Sequence, residues 1–294
     1  NCSASPFGRR KAALRRQLAA RAAQRLGCPV VYVNQVGGND ELVFDGASFV
    51  MGDSCGTPLL QLPDCREATQ IWNAAETSQM VSAVSTATPQ ILDEQHEMEA
   101  LFRTLVTGLK DYAGKCGFQR ALLGLSGGID SALVAVIAAA ALGSDQVQTL
   151  LMPSPWSSQG SISDALQLAN RLGIAHSIVP IDNLMKGFQA TLTPTLSSAP
   201  SGVTAENLQS RIRGTLLMAM ANQQGQLLLT TGNKSELAVG YCTLYGDMNG
   251  GLAVIGDLYK STVFALCRWI DSQHSAICRT ELALPERGEL IGTA

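Results

Sequence analysis

The chain has 294 residues, 46% of them apolar and 15% charged, and a formal net charge of −3. That balance excludes a disordered chain, and mild acidity without a long basic run excludes nucleic-acid binding by bulk electrostatics. The longest purely apolar stretch, Ala132 to Leu142, is too short to span a bilayer, so no membrane partner is expected.

The length accommodates two domains, each able to bury a core. Eight cysteines (Cys2, Cys28, Cys55, Cys65, Cys116, Cys242, Cys267 and Cys278) form no CxxC pair. They read as reduced thiols, mostly small core residues, in a cytoplasmic protein.

Along the chain, Lys11 to Leu26 (KAALRRQLAARAAQRL) sets Ala and Leu against Arg and Gln, which predicts an amphipathic helix closed by Gly27. Pro29 to Val36 reads as a strand, Glu41 to Met51 as two short strands about an Asp45-Gly46 hairpin turn, and Thr57 to Leu62 as another strand. Cys65 to Thr88 is polar and weakly patterned, a connection between domains. A long helix is expected from Ile91 to Tyr112, with Leu101, Leu105 and Leu109 recurring on one side. Glu94, Glu97 and Glu99 near its start suit a solvated face better than a metal site.

The segment Ala121 to Gly143, ALLGLSGGIDSALVAVIAAAALG, is the most informative in the chain. An apolar strand runs into SGGIDS, and an Ala-rich helix follows. A glycine turn from strand to helix N-terminus presents backbone N–H groups and a favourable dipole to an anion. Ser126 and Ser131 add hydroxyl donors. Asp130 places a carboxylate beside the anion, which makes sense where a divalent cation bridges the two. The alternative is a glycine turn that carries no ligand. Neither GxxxxGK[ST] nor GxGxxG is present.

Beyond it, strands at Gln148 to Met152, His176 to Ile181 and Gln226 to Leu229 alternate with helices at Ser163 to Leu172, Asn183 to Leu192 and Ala205 to Asn222. PSPWSSQG, Pro153 to Gly160, is a loop, and Thr193 to Thr204 is expected to be flexible and to close over a substrate. This alternation implies a parallel sheet with ligands at the carboxyl ends of its strands. Two further strings lie near such ends. AENLQSRIRG puts Asn207 and Arg211 on one helix face with Arg213 nearby, and TTGNKSELAVGYCTLYGD carries Thr231, Lys234, Glu236 and Asp247. Taken singly, Glu236 is also a first-turn helix carboxylate, Arg211 a solvated charge and Thr231 a turn residue.

SGGIDS resembles the pyrophosphate loop of ATP pyrophosphatases. Together with EN-x-Q-x-R-x-R and TTGNKSE…GY…YGD, it resembles the NAD synthetases in particular. NCSASPFGRRK and VVYVNQVGGNDELVFDGASFV resemble the glutaminase half of the glutamine-dependent members, a nitrilase-type domain whose Cys-Glu-Lys triad lies upstream of these stretches; none of the triad is expected here. Cys2 reads as a structural strand-end residue.

The resemblance implies an α/β chain: a partial αββα nitrilase-like sandwich (1–75), a linker (76–97), and a Rossmann-like parallel-sheet ATP-pyrophosphatase domain (98–294). It also implies a carbon–nitrogen ligase that adenylates deamido-NAD and amidates it to NAD, with ATP and Mg2+, as a homo-oligomer. Nitrogen comes from glutamine in the family, or from ammonia. By carry-over, ATP meets Gly124, Leu125, Ser126, Gly127, Gly128, Ile129, Asp130, Ser131 and Thr231. Deamido-NAD meets Asn207, Glu236, Asp247 and Lys260, with Arg211 inferred as a phosphate contact. Asp130 and Glu236 hold metal, and Ser5 and Lys11 contact glutamine. Lys260 matches a family Asp-x-Pro-Lys lysine, with Tyr259 in place of proline. Two other readings stay open: an ATP pyrophosphatase amidating another acid, and a catalytically dead nucleotide-binding fragment.

Overall fold

The computed structural model describes residues 1–52, 57–74, 94–277 and 290–292. The chain divides into two compact units, Asn1–Tyr112 and Ala113–Ala294.

The first unit contains β1 (Cys2–Ser3), α1 (Lys11–Leu26), β2 (Val30–Asn34), β3 (Val36–Asn39), β4 (Leu42–Asp45), β5 (Phe49–Met51), β6 (Pro58–Gln61) and most of α2 (Glu94–Lys115). One sheet has the order β1-β2-β5-β6, while β3 and β4 form a separate hairpin. The expected strand from Pro29 to Val36 is therefore broken at Gln35, with its two parts in different sheets.

The hairpin turn is not at Asp45-Gly46. β4 pairs back onto β3, with Asn39 opposite Leu42, and the chain reverses at Asp40, which adopts φ 52°. Asp45 is instead turned inward onto Arg15. Gly46 carries the chain out of the hairpin against Val36, where a Cβ would lie 2.4 Å from the Val36 Cγ2.

α1 ends at Gly27 in the left-handed conformation, as its sequence predicts. Its buried stripe differs from the expected one. Arg15, Ala19 and Ala23 face inward, while Leu14 and Leu18 remain 51% and 54% exposed. The small alanines allow close approach to Phe49 and Met51. Arg15 is drawn in because Asp45 and the carbonyls of Ser5 and Pro6 neutralise and bind it.

In α2, Leu101 and Leu109 are buried. Glu97 pairs with Arg9 and Arg10, and Glu99 with Arg103. Much of the Cys65 to Thr88 connection lies outside the described residues.

The second unit contains β7 (Ala121–Gly124), α3 (Ile129–Leu142), β8 (Val147–Leu151), α4 (Gln159–Leu172), β9 (Ala175–Ile178), α5 (Asp182–Leu196), α6 (Val203–Gln224), β10 (Leu227–Thr230), α7 (Lys234–Val239), β11 (Leu252–Ala253), α8 (Lys260–Ser272) and α9 (His274–Ile277). Its sheet is parallel throughout, in the order β11-β10-β7-β8-β9. From β7 the chain steps outward through α3 and α4 to β9, then returns through α5 and α6 to β10 on the other side of β7. Right-handed crossovers put the outward and returning helices on opposite faces. The order therefore reverses between β7 and β10, which opens a crevice at their carboxyl ends.

α3 is apolar on nearly every side, with eleven of its fourteen residues buried. The opposite face of the sheet is closed by Leu122, Leu150 and Leu228 against Ile212 and Ala221 of α6.

The segment from Thr193 to Thr204 is helical at both ends, and only residues 197–202 form a loop between the helices. α5 continues through Pro194 to Leu196, and α6 begins at Val203. The hydroxyls of Thr191 and Thr193 donate to the carbonyls of Gly187 and Gln189, turning their polar groups back onto the helix.

The expectation of core cysteines also fails. Cys2, Cys28 and Cys116 are exposed, Cys65 and Cys242 are half-buried, and only Cys267 is buried among those described. All six are free thiols. No helix among the described residues is long and apolar enough to cross a membrane.

Candidate active site

The SGGIDS turn leaves β7 at Gly124 and enters α3 at Ile129. Leu125 keeps one more ladder bond, its N–H donating to the Leu150 carbonyl at 3.0 Å. The chain then turns through Gly127, at φ 84°, so tightly against α4 that a Cβ would lie 2.1 Å from the Ser161 carbonyl oxygen. Only glycine meets both conditions.

Ser126 and Ser131 close the turn. Their hydroxyls are 3.0 Å apart, the Gly128 N–H donates to Ser126 Oγ at 3.2 Å, and Ser131 Oγ donates to the Gly128 carbonyl at 2.9 Å. No side chain caps α3. Its first-turn N–H groups therefore have no helical acceptor and form a ready anion cradle.

Asp130 lies in that first turn and receives two donors. Asn233 Nδ2 reaches its Oδ1 at 3.1 Å, and the Lys260 ammonium binds its Oδ2. Asn233 itself follows β10, so this contact spans the crevice between β7 and β10. It also caps α7: the Glu236 N–H donates to Asn233 Oδ1 at 3.1 Å, and the Asn233 N–H donates to Glu236 Oε2 at 3.0 Å. A fully buried asparagine thus joins the two carboxylates. Sequence analysis gave Asn233 no role, although Asn-x-x-Glu ahead of a helix is a capping-box signal.

Lys260 reaches the cluster from the first position of α8. Tyr259 precedes it as the N-cap at φ −67°, the value a proline imposes, so the departure from the family motif leaves Lys260 in place. Lys234 turns elsewhere. It pairs with Asp257 at 2.6 Å, which raises its pKa, and lies over the Tyr259 ring. Thr231 sits just past the carboxyl end of β10.

A second cluster forms where α6 meets the loop after α7. Thr243 Oγ1 donates to Asn207 Oδ1 at 2.8 Å, and Arg211 Nε donates to the Leu244 carbonyl at 3.2 Å. Asp247 accepts the Thr243 N–H, while its own N–H donates to Ser210 Oγ. Asn207, Arg211 and Asp247 thus all contact the Thr243–Leu244 stretch.

Ser5 and Lys11 belong to the first unit. Ser5 is bound through every polar group: its N–H donates to Asn34, and its hydroxyl and carbonyl accept from Arg15. Lys11 Nζ donates to the Pro6 carbonyl. A cavity of about 500 Å³ lies in the same unit, with Arg9, Arg16, Asp64 and Glu97 among its walls; neither Ser5 nor Lys11 lines it.

Asp130 and Glu236 suit a magnesium ion. Magnesium takes one or two carboxylates and completes its shell with phosphate oxygens and water. Asp130 accepts two hydrogen bonds and Glu236 one, fewer than an ionised carboxylate can accept. Among the described residues no group of three or more His, Cys, Asp or Glu could hold a metal on protein ligands alone.

The sequence model of the NAD synthase family matches residues 101–283. A glutamine-dependent NAD(+) synthetase of Synechocystis sp. is 50% identical over 290 residues, covering 99% of this chain and 51% of that protein. The structure of glutamine-dependent NAD+ synthetase from Acinetobacter baumannii, in complex with ADP, superposes with a TM-score of 0.83 at 41% identity, covering 99% of this chain and 53% of that one. An NH3-dependent NAD synthetase from Campylobacter jejuni matches with a TM-score of 0.55 at 33% identity, covering 62% of this chain and 76% of that one. The chain spans about half the length of the glutamine-dependent relatives.

Proposed function

The chain belongs to the NAD synthase family, and on that premise we propose that it amidates deamido-NAD to NAD, cleaving ATP to AMP and pyrophosphate. The observation that carries this reading is the meeting of Asp130, Asn233, Glu236 and Lys260 beside an uncapped glycine turn at the topological switch point.

The SGGIDS turn holds the ATP phosphates on the N–H groups of α3, with Thr231 contacting ATP from the neighbouring strand end. Asp130 and Glu236 would hold magnesium, which would supply charge neutralisation for the phosphates. Lys260 stands at the same carboxylate and gives a second cation where the two substrates meet. Asn207, Arg211 and Asp247 bind deamido-NAD, Arg211 at its phosphates. The nicotinate carboxylate then attacks the α-phosphate, pyrophosphate leaves, and ammonia displaces AMP from the adenylate. No group of the protein attacks covalently, so catalysis is positioning and charge neutralisation.

The first unit reads as part of a nitrilase-like glutaminase domain, with Ser5 and Lys11 as its glutamine contacts. A homo-oligomer and a cytoplasmic location complete the proposal, the latter in keeping with six free thiols.

The test supplies ATP, magnesium and deamido-NAD with ammonium or with glutamine, and measures AMP and NAD. NAD formed with ammonium but not with glutamine supports a working synthetase site without a glutaminase. ATP binding without AMP release would replace the reading with a binding fold, and ATP–pyrophosphate exchange on another acid would replace deamido-NAD as substrate.

A further inference from the structure

Arg211 and Arg213 are two residues apart on α6 and therefore point about 200° apart. Arg211 is exposed and belongs to the Leu244 loop. Arg213 is half-buried and reaches the other way, its Nε donating to the Met152 carbonyl at 3.1 Å.

Met152 fixes where that guanidinium is. In the β7–β8 ladder Gly124 lies opposite Leu150, and the Leu125 N–H donates to the Leu150 carbonyl. Met152 directly follows β8, the strand beside β7, so its carbonyl lies at the carboxyl edge of the sheet. The packing agrees, since a Cβ on Gly124 would lie 3.5 Å from the Met152 methyl. Arg213 is thus tethered at the carboxyl edge of the sheet, one strand from the anion cradle.

Its charge is not balanced there. Among the described residues no carboxylate pairs with Arg213, and its Nη1 and Nη2 make no hydrogen bond. Burial alone lowers its pKa, with no acidic neighbour opposing the shift. A planar guanidinium with both terminal nitrogens free matches two oxygens of one phosphate.

We propose that Arg213 is a further nucleotide-binding residue, its terminal nitrogens clamping a phosphate of the nucleotide held at the SGGIDS turn. The inference rests on the nucleotide reading of that turn. It assigns the two arginines of α6 to different substrates, Arg211 to the dinucleotide and Arg213 to the nucleotide phosphates.

The test is the affinity of the full chain for ADP and for adenosine, measured by calorimetry for wild type, Arg213→Met, Arg213→Lys and Gly127→Ala. Arg213→Met is expected to weaken ADP about ten- to a hundredfold and to leave adenosine within about twofold, because only ADP carries the phosphates. Arg213→Lys, which keeps the charge but loses the fork, is expected to fall between. Parallel changes for both ligands, or no change for either, would overturn the inference and leave Arg213 as a tie between α6 and Met152. Should Arg213→Met not fold, Arg213→Lys carries the same ADP-against-adenosine comparison. Failure of the underlying reading looks different: wild type would bind ADP no better than adenosine, or Gly127→Ala would bind ADP normally.

Discussion

Lys260 donates directly to Asp130 across 130 positions of sequence, each residue standing in the first turn of its own helix. An aspartate suits that place and a lysine does not, because the dipole at a helix N-terminus favours negative charge. Lys260 is held there by Asp130 and by the Phe264 ring, 5.5 Å from its ammonium. The proposed role at the phosphates would account for a position that helix electrostatics alone disfavours.

Lys260→Met is therefore expected to lower kcat/KM for NAD formation by roughly a hundredfold, the scale for losing one charge-stabilising donor. Steady-state AMP release and a thermal melt check it together. A fall of less than twofold would mean the ion pair is only structural.

Asn233→Ala removes both a helix cap and a tie to Asp130. Loss of the cap costs about 1 kcal/mol. Asn233→Ser restores a capping hydroxyl but is too short to reach Asp130, so it should recover most of the stability and little of the activity. Equal recovery of both would show that capping is the whole role of Asn233.

In the first unit, Arg15 and Asp45 form a buried pair, with side chains 8% and 7% exposed and 2.7 Å apart. Asp45→Ala leaves a guanidinium buried beside two carbonyls, at an expected cost of about 3–5 kcal/mol. Replacing both residues with apolar ones should cost less than the single change. Denaturant unfolding of the two variants decides between them.

Burial, then the charges of Asp271 and Asp130, push the Cys267 thiol up to about 12 from an ordinary 9.0. The folded state thus holds this proton longer than the unfolded state. Its stabilising contribution is complete below pH 9 and is lost as pH rises toward 12. Denaturant midpoints at pH 8 and pH 10.5 should fall apart in wild type and converge partly in Cys267→Ala. At pH 8, thiol reagents should modify exposed Cys2, Cys28 and Cys116 well before Cys267.

By itself, the sequence determined whatever depends on neighbours in the chain. The strand, turn and helix around SGGIDS, the parallel α/β alternation and the closure of α1 at Gly27 follow from apolar period, glycine placement and propensity. Those signals act within a few residues. The TTGNKSE and EN-x-Q-x-R-x-R strings were legible through their resemblance to the NAD synthetases, since each residue taken singly also fits a turn, a helix start or a solvated charge.

Tertiary structure decided everything that needed a partner distant in sequence. Only the fold brings Asp45 to Arg15, and that contact adds Arg15 to the buried alanine side of α1 and removes Asp45-Gly46 from the hairpin turn. Only the meeting of β7 and β10 makes Asn233 the link between Asp130 and Glu236. The period of α6 separates Arg211 from Arg213, but the loop on one side and the Met152 carbonyl on the other decide what each arginine faces. A charge has no preferred neighbour until burial removes water and leaves it one.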